Sequence, residues 1–231
     1  YDGIFGEMEV DNMGNLTTPW ITFFGGASSD IITSVDVEKN QIYFVGETNS
    51  SNLPVNPLVS YYDKVMGGTY GPKSNFFSVF SLNGQINKYT TYLRNYHSQA
   101  DIPRVNIEVS NVGIVYISGL TGTDYSPDST FYEYKEITSQ IPRAQNPDYS
   151  FIMSFEEVQY SNPMAFNLRF SPLFGGDDAT YINDIDIDKN DNIYICGETY
   201  SEENSFNTTI GAYNTLNTSN EYMTFFSKLH F

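Results

Sequence analysis

One stretch of sequence, written three times along the chain, decides the fold. Its third copy consists of LFGG at residues 173–176, YINDIDID at 181–188 and IYICGET at 193–199. The second segment alternates apolar and acidic side chains, which is typical of a β-strand with one buried face. The third segment is almost continuously apolar and predicts a strand buried on both faces. The intervening KNDN (189–192) predicts a tight turn, because Asn and Asp tolerate positive φ angles.

The other two copies set a period of just over seventy residues. The first copy consists of FFGG (23–26), IITSVDVE (31–38) and IYFVGET (42–48), and the more divergent middle copy of VNIEVS (105–110) and VYISGLT (115–121). The glycine of the third segment falls at 46, 119 and 197, and short aromatic strands begin at Ile4, Phe76, Phe151 and Phe225. Two markers with one period indicate a repeat architecture, in which each unit buries its apolar face against the next.

These motifs resemble the SBBP family of β-propeller repeats, which is common in secreted and surface proteins of bacteria. The resemblance covers three units, hence most of the chain, and its middle unit departs from the pattern at Arg94-Asn95 and Leu120. It implies an all-β fold, a β-propeller or part of one, with consecutive four-stranded antiparallel blades and long inter-blade loops. It supplies no catalytic residues to carry over.

A single propeller-type region is expected over residues 1–231. Its repeat units run from about 1–74, 75–148 and 149–222, and residues 223–231 start a further unit, so we expect a fragment of a longer protein. In the alternating strand of the first unit, Val35 and Val37 are predicted to lie on the buried face and Asp36 on the other. The same alternation predicts burial for Ile185 and Ile187 in the third unit.

The charge of the chain limits its partners. Lys and Arg number 11 against 28 Asp and Glu, a formal net charge of -17. Nucleic acid and anionic membrane surfaces are poor partners for such a protein, because both require a basic face. No apolar run reaches the length of a membrane span. The single cysteine, Cys196, lies in an apolar strand, where we expect a small buried side chain rather than a reactive thiol.

Three long loops follow the apolar strands, at residues 49–74, 122–150 and 200–222. They are rich in Pro, Asn, Ser, Gly and Tyr, a composition typical of adaptable binding surfaces on a rigid scaffold. The alternative is that these loops cover blade edges, with their tyrosines half-buried. The tyrosines of the second and third loops are Tyr132, Tyr134, Tyr149, Tyr200, Tyr213 and Tyr222.

We predict no catalytic, cofactor-binding or metal-binding residues. Asp36, Glu108 and Asp186 share one register, and a repeated acid favours a repeated structural task, such as accepting backbone N–H groups at a tight turn, over catalysis. The histidines His97 and His230 accompany no nucleophile motif. Calcium at a turn formed by Asp188, Asn190 and Asp191 remains an alternative, although the mid-loop glycine of a calcium loop is missing.

The sequence therefore predicts a non-enzymatic binding or structural module of a larger bacterial secreted protein. We expect an extracellular or outer-membrane-surface location, a Bacteroidota-type exported protein, and a protein or glycan partner in a surface assembly. The enzyme alternative is a glycan-acting hydrolase with carboxylates at the propeller mouth, which predicts acids of different blades close together. A third alternative is a pure spacer, which predicts no exposed aromatic patch.

Overall fold

The fold consists of β-strands throughout the part of the chain that the structure describes. This computed structural model describes residues 1–55, 74–93, 105–121, 149–176, 178–201, 206, 208, 212–213 and 221–229. The strands are β1 (Gly3–Val10), β2 (Leu16–Phe24), β3 (Asp30–Glu38), β4 (Gln41–Thr48), β5 (Ser74–Ser81), β6 (Asn87–Leu93), β7 (Asn106–Val109), β8 (Ile114–Thr121), β9 (Tyr149–Glu157), β10 (Phe166–Phe170), β11 (Leu173–Phe174), β12 (Thr180–Ile187), β13 (Ile193–Thr199) and β14 (Met223–Leu229). Among these residues, no helix is long and apolar enough to cross a membrane.

The strands form four antiparallel sheets in chain order. Sheet 1 pairs β1 with β2, and sheet 2 has the order β3-β4-β5-β6. Sheet 3 has the order β7-β8-β9-β10, with β11 also pairing β9, and sheet 4 has the order β12-β13-β14. The predicted all-β fold with antiparallel sheets is thus confirmed. The described residues form four separate sheets, and a closed propeller stays a prediction.

The sheets are offset by two strands from the units read in the sequence. In sheet 2, β3 and β4 carry the motif of the first copy, whereas β5 and β6 are the aromatic strand and its successor from the next copy. Sheet 3 is built in the same way. The aromatic strand therefore pairs with the apolar strand that precedes it across a long loop, and this pairing joins consecutive repeats.

The tight turns lie where the sequence predicted them. Lys39 and Asn40 adopt φ angles of 49° and 57° between β3 and β4, and Asp191 adopts 59° between β12 and β13. Gly113 serves the corresponding turn between β7 and β8 with φ of 88°. Positive φ is the conformation that short hairpin turns require, which explains the Asn, Asp and Gly at these positions.

The repeated glycine is explained by a close approach between neighbouring strands. A Cβ atom on Gly46 would lie 1.9 Å from the carbonyl oxygen of Ile31, and one on Gly197 would lie 1.9 Å from that of Tyr181. The register of β3 on β4 shifts between Ile32 and Ser34, and that of β12 on β13 shifts at the same place. A bulge in the partner strand brings its carbonyl so close that only glycine fits.

A buried carboxylate ties the Gly-Gly segment to the end of β4. Asp30 accepts hydrogen bonds from the hydroxyl of Thr48, from Ser50 Oγ at 2.9 Å and from the backbone N–H of Gly26 at 2.7 Å. Such a network satisfies a buried charged group. In the third copy, a 2.8 Å hydroxyl pair between Thr180 and Thr199 occupies the corresponding place. The Gly-Gly and Gly-x-Thr motifs are therefore structural.

Three apolar clusters lie between successive sheets. Phe5 and Phe24 of sheet 1 pack on Phe44, Phe76 and Phe80 of sheet 2. The cluster between sheets 2 and 3 contains Tyr43, Val45, Phe77, Val79, Ile107, Val109, Phe151 and Phe155, and the one between sheets 3 and 4 contains Tyr116, Ile152, Ile182, Ile185, Ile195 and Leu229. The apolar strands β4 and β8 of the two interior sheets are therefore buried on both faces, as predicted. The same prediction is wrong for β13, which is buried on one face only.

One burial prediction is wrong in the first copy and right in the third. Val35 and Val37 are 55% and 54% exposed, whereas Ile185 is 2% exposed and Ile187 is partly buried. The alternation itself is present in both strands. Sheet 1 packs on β4 and β5 through Phe5 and Phe24, and no described residue buries the two valines of β3.

Candidate functional site

The three alternating strands β3, β7 and β12 lie side by side although each belongs to a different sheet. Side chains join them to the backbone of the next strand. Thr33 Oγ1 donates to the carbonyl of Val105 at 2.6 Å, and Asn106 Nδ2 donates to the carbonyl of Asn183 at 3.1 Å. These three strands therefore form a continuous inner layer that carries the repeated acids.

The carboxylate of Asp36 accepts hydrogen bonds from two backbone N–H groups. Its Oδ1 accepts from Val37, the following residue, at 2.6 Å, and its Oδ2 accepts from Val109 of β7 at 2.7 Å. This carboxylate links two sheets rather than a tight turn. Asp186 of β12 accepts from Ile187 at 2.7 Å in the same way as Asp36 accepts from Val37.

Glu108 of β7 has the most unusual electrostatic surroundings of the three acids. Partial burial, followed by the carboxylates of Asp36, Asp186 and Asp184, raises the pKa of Glu108 to about 7. Burial disfavours the charged form of Glu108, and three neighbouring carboxyl groups disfavour a further negative charge, which explains the direction of the shift. A carboxyl that retains its proton near neutrality has the chemistry of a general acid.

The calcium alternative placed the ion at a turn, and the carboxylate of that turn already accepts several hydrogen bonds. Asp188 accepts from the backbone of Asn190 at 2.8 Å, from Asn192 through its backbone and side chain, and from the hydroxyl of Tyr194 at 3.1 Å. These hydrogen bonds, led by the Asn192 side chain, lower the pKa of Asp188 to about 2. Within the described ranges, no group of three or more His, Cys, Asp or Glu could hold a metal ion.

Part of the third tyrosine-rich loop is described, and two of its tyrosines, Tyr200 and Tyr222, lie together at one end of sheet 4. The ring of Tyr222 lies 5.8 Å from that of Tyr181 and 5.2 Å from that of Tyr200. Tyr213 is exposed. Most of the first two loops, including Tyr132 and Tyr134, lies outside the described residues, as do His97 and His230.

No residue that the structure describes covers one face of sheet 4, which we call the open β13–β14 face (Tyr194, Cys196, Phe226 and Lys228). Phe226 is 73% exposed, and its ring stacks on Tyr194 at 5.9 Å between centroids. The ammonium of Lys228 lies 5.4 Å from the Tyr194 ring centroid, within the range of a cation–π contact. Cys196 is exposed, so its predicted burial was wrong, because no described residue packs over this side of β13.

Among the described residues, Val35 and Val37 also lack a covering partner, and we call this surface the open β3 face. The neighbouring surface of sheet 1 is also apolar and exposed, at Ile4, Ile21 and Phe23. Sequence reasoning missed both open faces. β3 carries the same alternation, and β13 the same apolar run, as their buried counterparts, so no local signal separates them.

Residues 170–206 match the family model of the SBBP β-propeller repeat. The matched segment contains β11, β12 and β13, and the resemblance stated from the sequence is therefore confirmed there. No curated protein matches the chain.

Proposed function

Taking the SBBP repeat as the premise, we propose that the chain is a non-enzymatic structural and binding module of a larger bacterial secreted protein. Sheets 2 and 3 are then consecutive blades of a β-propeller. The observation that carries this proposal is the stack of antiparallel sheets that the repeat motifs build, with a buried apolar cluster between each pair of successive sheets. Exposed aromatic side chains such as Phe226 are typical of surfaces that bind a partner.

The hydrogen bonds of the repeated acids support a structural role. Asp36 bonds to the backbone of β7, and the buried Asp30 bonds to its own sheet. The residues that recur in the sequence are thus engaged in connecting strands and sheets. The exposed aromatic side chains argue against a pure spacer and support a protein or glycan partner in a surface assembly.

An extracellular location, on the outer membrane or in the medium, is part of the proposal. The net charge of -17 supports it only by disfavouring nucleic-acid and anionic-membrane partners. Protease treatment of intact cells that make the natural polypeptide tests the location. Cleavage of this region without cell lysis is the expected result, and full protection until lysis would contradict it.

One observation favours the second candidate, a glycan-acting hydrolase. Glu108, with a pKa of about 7, shares the inner layer with Asp36 and Asp186, and glycosidases need one protonated and one ionised carboxyl. The wild type and a triple variant, Asp36→Asn/Glu108→Gln/Asp186→Asn, should be incubated with xylan, cellulose, chitin and starch. We expect equal reducing-end release from both proteins. Release by the wild type alone would replace the binding module with the hydrolase.

A further inference from the structure

We infer that one end of sheets 2 and 3 binds an uncharged polysaccharide, with the ring of Tyr160 as its aromatic contact. We call this surface the turn end. It consists of the β5–β6 turn (82–86), the β7–β8 turn (111–113) and the β9–β10 turn (158–165). The inference deepens the proposed function and rests on it, since it names the site and the chemical class of a glycan partner.

The turns lie at one end of the molecule because contacts between the two sheets hold them there. Lys39 Nζ, in the β3–β4 turn of sheet 2, donates a hydrogen bond to the carbonyl of Val112 in the β7–β8 turn of sheet 3. The ring of Phe166, which follows the β9–β10 turn, lies 4.9 Å from the ring of Tyr89 on β6. The turns of both sheets therefore belong to one packed surface.

The turn end lies away from the three long loops. Those loops follow β4, β8 and β13 and so begin at the opposite ends of the strands, as the pairing of Thr48 with Ser74 and of Thr121 with Tyr149 shows. Every residue of the three turns is among the described residues. Sequence reasoning assigned binding to the long loops, and the turn end is a separate surface.

Tyr160 has an unfavourable backbone conformation that no burial offsets. Its φ angle is 60°, in the left-handed region that a bulky side chain rarely adopts. The turn is fixed by hydrogen bonds from the Ser161 N–H to the Val158 carbonyl at 3.2 Å and from the Val158 N–H to the Ala165 carbonyl at 2.8 Å. The side chain of Tyr160 is nevertheless fully exposed. Strain that buries nothing indicates a function for the exposed ring.

The turn end is uncharged in a strongly acidic protein. Residues 81–87, 110–114 and 158–166 contain no Asp, Glu, Lys or Arg, although the chain has 28 acidic and 11 basic residues. Besides Tyr160, the exposed apolar side chains are those of Leu82, Ile86 and Val112. The exposed amide side chains are those of Asn83, Gln85, Asn111, Gln159 and Asn162.

Apolar and amide side chains are interleaved at the turn end. Each of the four exposed apolar residues has an exposed Asn or Gln next to it in the sequence. Protein interfaces instead gather their apolar side chains in a core with a polar rim. An interleaved surface therefore suits a ligand whose own apolar and polar groups alternate over a short distance.

A pyranose chain has that chemistry. The C–H face of a sugar ring packs on an aromatic ring, and its hydroxyl groups both donate and accept hydrogen bonds, as amide side chains do. An uncharged chain fits better than an anionic one, because the turn end offers no cation and the net charge of -17 repels anions. The ligand class is therefore an uncharged polysaccharide.

The experiment measures depletion of the protein from solution by insoluble cellulose, chitin and starch, with cross-linked polygalacturonate as the anionic counterpart. The wild type should bind at least one of the three uncharged polysaccharides and bind polygalacturonate more weakly. Tyr160→Asn removes the ring and keeps the turn, because Asn tolerates the left-handed region. It should lower the association constant by about tenfold. Tyr160→Phe keeps the ring and should bind like the wild type.

Tyr213→Ala is the matched control, because Tyr213 is equally exposed but lies in the third long loop. It should bind like the wild type. Urea unfolding checks the fold of each variant. Tyr160→Asn should unfold at a higher urea concentration than the wild type, because it relieves the strained conformation. Unfolding at a lower concentration would contradict a strain retained for binding.

Four binding results would overturn the inference. They are no binding to any of the three uncharged polysaccharides, unchanged binding by Tyr160→Asn, an equal loss in Tyr213→Ala, and tighter binding to polygalacturonate. None of them touches the non-enzymatic module, since the reducing-end assay does not depend on retention. Conversely, reducing-end release by the wild type alone would overturn that module whether or not the turn end binds.

Discussion

The outward faces of sheet 2 and sheet 4 carry one sequence pattern in two environments. Tyr43, Val45 and Phe77 are buried under sheet 3, whereas Cys196 and Phe226 at the corresponding positions are exposed. The two strands of each face pair in the same register. The difference teaches that the pattern specifies a strand and its two faces, while burial is determined by what packs on the sheet.

The largest expected difference in stability comes from removing one phenylalanine ring from each of the two faces. Phe77→Ala should lower the free energy of unfolding by about 3–5 kcal/mol, because it removes a fully buried ring and leaves a cavity. Phe226→Ala should cost less than about 1 kcal/mol, since most of that ring already contacts solvent. Urea unfolding at low protein concentration measures both, and equal losses would contradict the difference in burial.

The repeat motif explains how much of the fold could be predicted. The alternation at 181–188, the turn residues and the glycines are local signals, and each predicted a feature that the structure contains. Burial of Val35, Val37 and Cys196 is not local, because it requires a neighbouring sheet on the correct side. The same reasoning succeeded for Ile185 only because sheet 3 lies against it.

The candidate site also has some features that the sequence predicts and others that depend on long-range packing. The shared register of Asp36, Glu108 and Asp186 was visible in the sequence, and a structural task for Asp36 followed from its repetition. The raised pKa of Glu108 was not visible, because it arises from burial and from carboxylates about 72–78 residues away along the chain, which only the side-by-side packing of three strands brings close. The open faces depend on the same long-range packing.

A second prediction concerns two substitutions whose effect on stability should not depend on how far the sheet is buried. Gly46→Ala and Gly197→Ala each place a Cβ atom 1.9 Å from a carbonyl of the paired strand, a clash within one sheet. Both substitutions should therefore lower the free energy of unfolding by about 1–3 kcal/mol, although sheet 2 has a neighbouring sheet on each side and sheet 4 has one on a single side. Chemical denaturation of both variants checks this, and tolerance of Gly197→Ala alone would mean that an uncovered sheet can relax around the clash.

The charged inner layer gives a pH-dependent prediction. The pKa of Glu108 is raised from 4.5 to about 7, so the folded state holds the proton more tightly than the unfolded state. Stability is therefore retained below pH 4.5 and falls as the pH rises from 4.5 to about 7. Glu108→Gln removes this fall and should stabilise the protein at pH 8 by about 1–2 kcal/mol, a value reduced for partial solvent exposure.

The controls for this effect lie inside and outside the inner layer. Glu9→Gln removes the same charge from an exposed position of β1 and should leave the pH dependence of the wild type unchanged. Asp186→Asn removes one of the neighbouring charges and should make the fall between pH 4.5 and 7 shallower. Thermal unfolding from pH 4 to 8 measures all three, and a pH profile for Glu108→Gln that parallels the wild type would rule out this origin of the slope.

The smallest expected effect comes from two side chains at the same register position, Ser118 of sheet 3 and Cys196 of sheet 4. They lie on opposite sides of sheet 4. Ser118, which corresponds to Cys196, is buried, and its hydroxyl has no hydrogen-bond partner within the described ranges. Ser118→Ala should raise the free energy of unfolding by about 1 kcal/mol, because it removes a buried polar atom that is not compensated. Cys196→Ala should change it by less than about 0.5 kcal/mol, because that side chain is exposed. Urea unfolding distinguishes the two, and destabilisation by Ser118→Ala would mean that the hydroxyl is satisfied and that polar groups help to hold sheets 3 and 4 together.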